Sequence, residues 1–347
     1  MMQFTFRWYG RDDPVTLEKI RQIPGVRSIV SACYDVPAGD VWKAESIQAI
    51  RSEAAAYGLE FQVVEGLPVH ESIKLGDYSR DRYIEKYIRN LHLLAEHGIR
   101  VVCYNFMPVF GWVRTRLNYH LADGSETLAF SEDELKKIDP SRDKLDLPGW
   151  NFSSKKEEIS YLIEQYRDLG TRGMWKNLQY FLEAIVPEAE KCGIALAIHP
   201  DDPPLPVFGL PRIVSSESDL ERLTSIVDSP SNGITLCTGS LGSGRNNNVA
   251  KIAYRFASEG KIKFVHARNI QFQNGLDFVE SGHLTTSGSL NMAEILRSLY
   301  HGGFDGYLRS DHGRMVWGET GRPGYGLYDR AMGITYLQGI WEGITNN

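Results

Sequence analysis

Several things are scarce or missing in this 347-residue chain, and each absence narrows its role. No uninterrupted apolar run approaches the roughly 18 residues that a membrane-spanning helix requires. The opening MMQFTFRWYG lacks the charged region followed by an apolar one that marks a secretory leader. Cysteine is sparse: the four thiols, Cys33, Cys103, Cys192 and Cys237, are too widely spaced for a disulfide framework or a paired C-x-x-C zinc site. Reduced thiols in a cytoplasmic setting are expected, with any one free to act as a ligand. Excess positive charge is missing too. The formal charge is −6 with no contiguous basic stretch, which argues against nucleic acid or an anionic membrane as the main partner. Neither an internal repeat nor a low-complexity tract is present, so a small-molecule substrate is the expected partner.

What is there is the composition of an ordinary globular domain, 42% hydrophobic and 24% charged. Strand-like runs alternate with helix-like segments from end to end, which is the pattern of a parallel sheet wrapped by helices. Eight such runs occur: QFTFRWYG (3–10), VRSIVSACY (26–34), EFQVVEG (60–66), RVVCYNF (100–106), IALAIHP (194–200), GITLCTG (233–239), IKFVHAR (262–268) and GYLRSDH (306–312). Eight is the number of a (βα)8 TIM barrel, so residues 1–347 are expected to form one such α/β domain. Between the runs, Trp175, Leu178, Phe181, Leu182 and Ile185 share one helical face, and Pro187 is expected to kink the end of that helix. Gly58, Gly98, Gly193 and Gly303 precede strands, where helix C-termini need a positive φ. Residues 113–172 are too long for an ordinary connection. They read as an insertion after the fourth strand on the side of the catalytic face, either a lid or oligomer contact or a surface excursion with no role in the chemistry.

Side chains in a barrel strand alternate between the barrel interior and the surrounding helices. Alternation turns Ala195, Ala197 and His199 inward, then Thr235 and Cys237, Phe264 and His266, and finally Tyr307, Arg309 and Asp311. His199, Cys237, His266 and Asp311 thus each take the last inward position of consecutive strands, 38, 29 and 45 residues apart, at the end where barrel enzymes hold their active sites. Taken singly, such residues are ordinary: a hydrogen-bonded core histidine, a small apolar cysteine, an aspartate capping a turn. Their convergence points to a divalent-metal site with mixed nitrogen, sulfur and oxygen donors, suited to manganese, iron, cobalt or zinc.

Arg7, inward on the first strand, wants an anion: a substrate carboxylate or a structural partner such as Glu65. His70 and Asn105, just past the third and fourth strands, are candidates for binding substrate hydroxyls. The segment 309–331 places His312, Tyr325 and Tyr328 within reach of whatever Asp311 binds. Strict alternation would point His312 away, so it takes part only if the strand has turned there, which Gly313 permits. Histidine is the first choice for proton transfer near neutrality. Tyrosine needs a depressed pKa, which a nearby cation could supply.

These residues lie in motifs, FRWYG, YDVP, PVHE, CYNFMPVF, AIHPDDPP, FGLPRI, CTGS, DHGRMVWGE and PGYGLYDRA, that resemble the mannonate dehydratases of hexuronate breakdown over nearly the whole chain. That family belongs to the xylose-isomerase-like barrels. The resemblance implies a metal, usually manganese, on His199, Cys237, His266 and Asp311, with His312 and Tyr325 as the acid–base pair. It implies loss of water from D-mannonate to give 2-keto-3-deoxy-D-gluconate. The chain departs from the family at Ser310, Ser72 and GSGRNNN (242–248), none of which removes a ligand or the acid–base pair. Two other readings compete: a metal-dependent sugar isomerase or epimerase on the same barrel, and a barrel that binds sugar acids without turning them over. A homo-oligomer, dimer or higher, is the base-rate expectation.

Overall fold

The structure, a computed structural model, describes residues 2–140 and 156–346. Its strands, in chain order, are β1 (Gln3–Arg7), β2 (Ser28–Ser31), β3 (Glu60–Glu65), β4 (Val101–Tyr104), β5 (Arg116–His120), β6 (Glu126–Phe130), β7 (Ala195–Ile198), β8 (Asn232–Cys237), β9 (Ile262–Ala267), β10 (Ile270–Phe272), β11 (Phe278–Glu280) and β12 (Tyr307–Ser310). Eight of them close a parallel barrel in the order β1-β12-β9-β8-β7-β4-β3-β2, and these are the eight runs read from the sequence. The β-branched and aliphatic content of these segments suits strands buried on both faces.

Alternation sorts the two cores. Val30, Val63, Val101, Cys103, Ala197 and Phe264 fill the barrel interior. Leu196, Ile198, Ile234, Leu236 and Val265 face the helices in the larger outer cluster. Trp175, Leu178, Phe181, Leu182 and Ile185 meet them there, all buried. Gly58, Gly98, Gly193 and Gly303 take positive φ ahead of their strands, as expected. Register then sets the height of the chemistry, since Cys237 pairs with His266 and His266 with Arg309 across neighbouring strands.

Two features differ from the reading of the sequence. The helix Lys156–Cys192 is interrupted at Gly170 (φ 62°, ψ −179°), while Pro187 lies inside it. Only glycine adopts that backbone at low cost. The second is a small antiparallel sheet, β10-β11-β6-β5, beside the barrel mouth. The hairpin β5–β6 comes from the expected insertion, and β11 from the connection after β9. Residues 141–155 of the insertion lie outside the described residues.

Candidate active site

Cys237 ends β8, His266 lies on β9, and His199 follows β7, its amide donating to the Tyr104 carbonyl at 2.6 Å. One donor atom from each of these three lies within 4.8 Å of the others, so the trio could hold a metal ion. Asp311 stands alongside: its Oδ2 is 3.8 Å from Cys237 Sγ, and its amide donates to Ala267 O, carrying on the β9–β12 pairing. Its carboxylate is held by guanidinium groups, Oδ1 accepting from Arg309 Nη1 at 2.6 Å and Oδ2 lying 3.3 Å from Arg268 Nε. The trio is therefore assembled and Asp311 is at its edge, turned toward two arginines.

The electrostatics suit a cation. Burial opposes ionisation of Cys237, but Arg268 and His199 beside it bring the thiol well below its ordinary range. Thiolate is the form that binds metal. Burial likewise opposes charge on His199, yet its contact with Cys237 raises it to about 9. The two shifts describe one pair, a thiolate and an imidazolium whose proton a divalent ion would displace.

Around this centre lies a buried web of charge that was not read from the sequence. Arg114 donates to Asp202 through Nη1 (2.8 Å) and Nη2 (3.1 Å) and to Glu280 through Nε (2.8 Å). Arg268 donates to the same two carboxylates, to Asp202 at 2.6 Å and to Glu280 at 2.8 Å, and its Nη2 lies 3.4 Å from Cys237 Sγ. All four side chains are 2% exposed or less. Burial would raise Asp202 and Glu280, but the two arginines hold Asp202 far below the carboxylate range, and His312 with the arginines lowers Glu280. Asp202 carried a signal, lying in AIHPDDPP. Arg114 and Glu280 carried none, because they meet only through the small sheet.

The chain has turned by His312. The ring is buried, Nδ1 hydrogen-bonds to Glu280, and Nε2 points back to 3.6 Å from Asp311 Oδ2. Trp112, immediately before the expected insertion, stacks on it (centroids 4.5 Å apart, planes at 20°). Tyr325 packs 5.2 Å from the same ring and edge-on to Tyr9. Burial and the neighbouring Tyr9 and Asp311 hold the Tyr325 phenol well above its ordinary value, against the pull of Arg309 and Arg7.

Other candidates fall elsewhere. Arg7 has taken the structural option, pairing with Glu65 and donating from Nε to Tyr34 at 3.1 Å. Glu65 also receives Arg309 (2.9 Å) and lies 3.1 Å from His266 Nε2, so it neutralises one wall of the site. His70 caps the short helix Glu71–Leu75, Nδ1 accepting from Ser72 N, and stacks on Tyr83. Asn105 is exposed, accepting from Met107 N at 3.3 Å. Tyr328 is 44% exposed and packs on Trp317 rather than joining the cluster.

An eight-stranded parallel barrel with a histidine–cysteine–histidine cluster at the C-terminal ends of its strands is a TIM barrel with its candidate site at the usual end, the fold that solved xylose-isomerase-like barrels share. A barrel of that description from Mycobacterium smegmatis, solved with magnesium, superposes with a TM-score of 0.54 at 15% identity, covering 99% of this chain and 98% of that one. At that identity the likeness is one of fold alone. Sequence goes further: the profile of the D-mannonate dehydratase family (UxuA) matches residues 2–347. Mannonate dehydratase from Streptococcus uberis is 51% identical over 343 residues, 99% of each chain. Mannonate dehydratase 2 from Halalkalibacterium halodurans is 50% identical over 345 residues, 99% of this chain and 100% of that one. The crystal structure of mannonate dehydratase from Streptococcus suis serotype 2 superposes with a TM-score of 0.93 at 43% identity, covering 100% of this chain and 95% of the other. The chain belongs to the D-mannonate dehydratase family. It is accordingly a hydro-lyase.

Proposed function

We propose that this protein converts D-mannonate to 2-keto-3-deoxy-D-gluconate with a divalent cation, manganese in first place, held by His199, Cys237, His266 and Asp311. The observation that carries the reading is the cluster of His199, Cys237 and His266 donor atoms within 4.8 Å, with Asp311 and His312 at its edge. Iron(II), cobalt(II) and zinc(II) suit the same donor set. Bound there, the ion would act as a Lewis acid for the charge that grows on the substrate carboxylate as the C2 proton leaves.

The protein's own groups divide the proton transfers. Glu280, kept ionised, accepts from His312 Nδ1 and so leaves Nε2 as the basic nitrogen facing the site, placed to take the proton from C2. Tyr325, kept protonated by burial, donates to the departing 3-hydroxyl, and Arg309 and Arg7 moderate the phenolate left behind. With Arg7 committed to Glu65, the substrate carboxylate is assigned to the metal centre rather than to that arginine.

Among the described residues no helix is long and apolar enough to cross a membrane. The thiolate role of Cys237 suits a reducing, cytoplasmic compartment. Exposed Trp317, Tyr328 and Met332 lie on the surface where a second copy could pack, in keeping with a homo-oligomer. Arg114 supports a covering role for the segment from 113 onward, since it reaches Asp202 and Glu280 beside the site. The test is incubation of metal-replete protein with D-mannonate and assay for the 2-keto-3-deoxy acid. Absence of keto acid sinks the proposal, and an epimeric hexonate as product would favour an epimerase instead.

A further inference from the structure

Behind the proposed machinery lies a buried pair that it does not use. The His283 ring is buried, its Nε2 3.2 Å from the Asp311 carbonyl and its Nδ1 3.6 Å from Asp329 Oδ2. Asp329 in turn accepts from Arg314 three times, from the amide (3.1 Å), Nε (3.0 Å) and Nη2 (2.8 Å). The segment carrying Asp311 and His312 is thus gripped at both ends, at the carbonyl of residue 311 and the amide of residue 314. The outer face of Arg314 reaches Asp123 in the β5–β6 turn at 2.8 Å.

Two glycines make room for this grip. A Cβ on Gly333 would stand 2.4 Å from His283 Nδ1, and one on Gly313 would stand 2.4 Å from Asp329 Oδ2. Gly333 lies within the helix Tyr328–Thr345, where alanine would favour the helix by about 1 kcal/mol. Close approach of the imidazole is the physical reason for glycine at that position.

We infer that His283 is a positioning residue, which by donating from Nε2 to the Asp311 carbonyl sets the turn that aims the Asp311 carboxylate and the His312 ring at one centre. The inference rests on the dehydratase reading above. Its test uses His283→Gln, whose amide N–H can reach the same carbonyl, and His283→Leu, which fills similar space without a donor. A misplacement of the acid–base group by about 1 Å costs on the order of a hundredfold in rate. His283→Leu should lose about that factor in kcat in protein still folded at the assay temperature, melting lower because the buried Asp311 carbonyl loses its donor, and His283→Gln should keep most of both. A second readout needs neither substrate nor metal: the His312 ring proton, shielded by stacked Trp112, should shift in the NMR spectrum of the Leu variant and not of the Gln variant.

Wild-type kcat in His283→Leu, or equal losses in both variants, would overturn the assignment. Should His283→Leu fail to fold, Gly333→Ala takes its place by pushing on the ring: a fall in kcat in protein still folded at the assay temperature supports the role, and wild-type kcat overturns it. If the unaltered protein forms no keto acid, the dehydratase reading fails and the ring-proton shift alone decides: a shift confined to the Leu variant upholds the positioning, and no shift rejects it.

Discussion

Replacing Glu280 with glutamine tests how the site holds its proton. The wild-type carboxylate accepts from His312 Nδ1 on one oxygen and from both Arg114 and Arg268 on the other. Glutamine has one acceptor oxygen. Wherever it points, the NH2 group must face either the His312 nitrogen or the guanidinium donors. Removing one charge from a buried, hydrogen-bonded ion network costs about 3–5 kcal/mol. For a 347-residue chain the unfolding entropy makes that about 1.4 °C per kcal/mol, so the melting temperature falls by roughly 4–7 °C. Loss of the bond that fixes the His312 tautomer removes general-base assistance, worth about 10²–10⁴ in rate. Glu280→Gln should therefore remain folded at room temperature while kcat falls by at least about a hundredfold. Keto-acid formation under saturating D-mannonate and metal gives kcat, and a thermal melt of the same sample gives the stability change. A folded variant with kcat near wild type would refute the argument that Glu280 orients His312.

Three further outcomes are expected. His312→Ala and Tyr325→Phe should each retain bound metal by elemental analysis and lose turnover; a variant as active as wild type contradicts the role given to that residue. Cys237→Ser should lower the metal content of protein purified without added metal, because the thiolate beside Arg268 is replaced by a hydroxyl that does not ionise in this range; unchanged content would remove Cys237 from the ligand set. Tyr325 acts in its protonated form, and burial raises its pKa above the ordinary phenol value of about 10, so its required form persists up to that pH and disappears only above it. The kcat profile should then show no alkaline loss due to Tyr325 below about pH 10; such a limb near pH 8, absent in metal-reconstituted controls of other variants, would contradict the acid role.

Residue alternation along single strands was sufficient to place His199, Cys237 and His266 at one end of the barrel, because the period of two is a local property of extended chain. Register between neighbours then brought them level, as the pairing of Cys237 with His266 illustrates. The His312 orientation was legible only as a condition, since a turn after Asp311 breaks the alternation on which the reading depended. Arg7 carried two open options, and the choice fell to Glu65, a residue on another strand of the same interior.

By itself, then, the amino-acid order determined the strand pattern, the barrel count, the inward faces and the donor types, all of which follow from periodicity and side-chain chemistry within short windows. Tertiary structure alone decided the partners. Glu280 reaches His312 and Arg114, and Arg114 reaches Asp202, because β6 from one connection pairs with β11 from another at the barrel mouth. That pairing joins segments more than a hundred residues apart, and no local pattern encodes it. Low dielectric and mutual neutralisation make the buried web tenable, so its members are recognisable as functional only once the fold has brought them together.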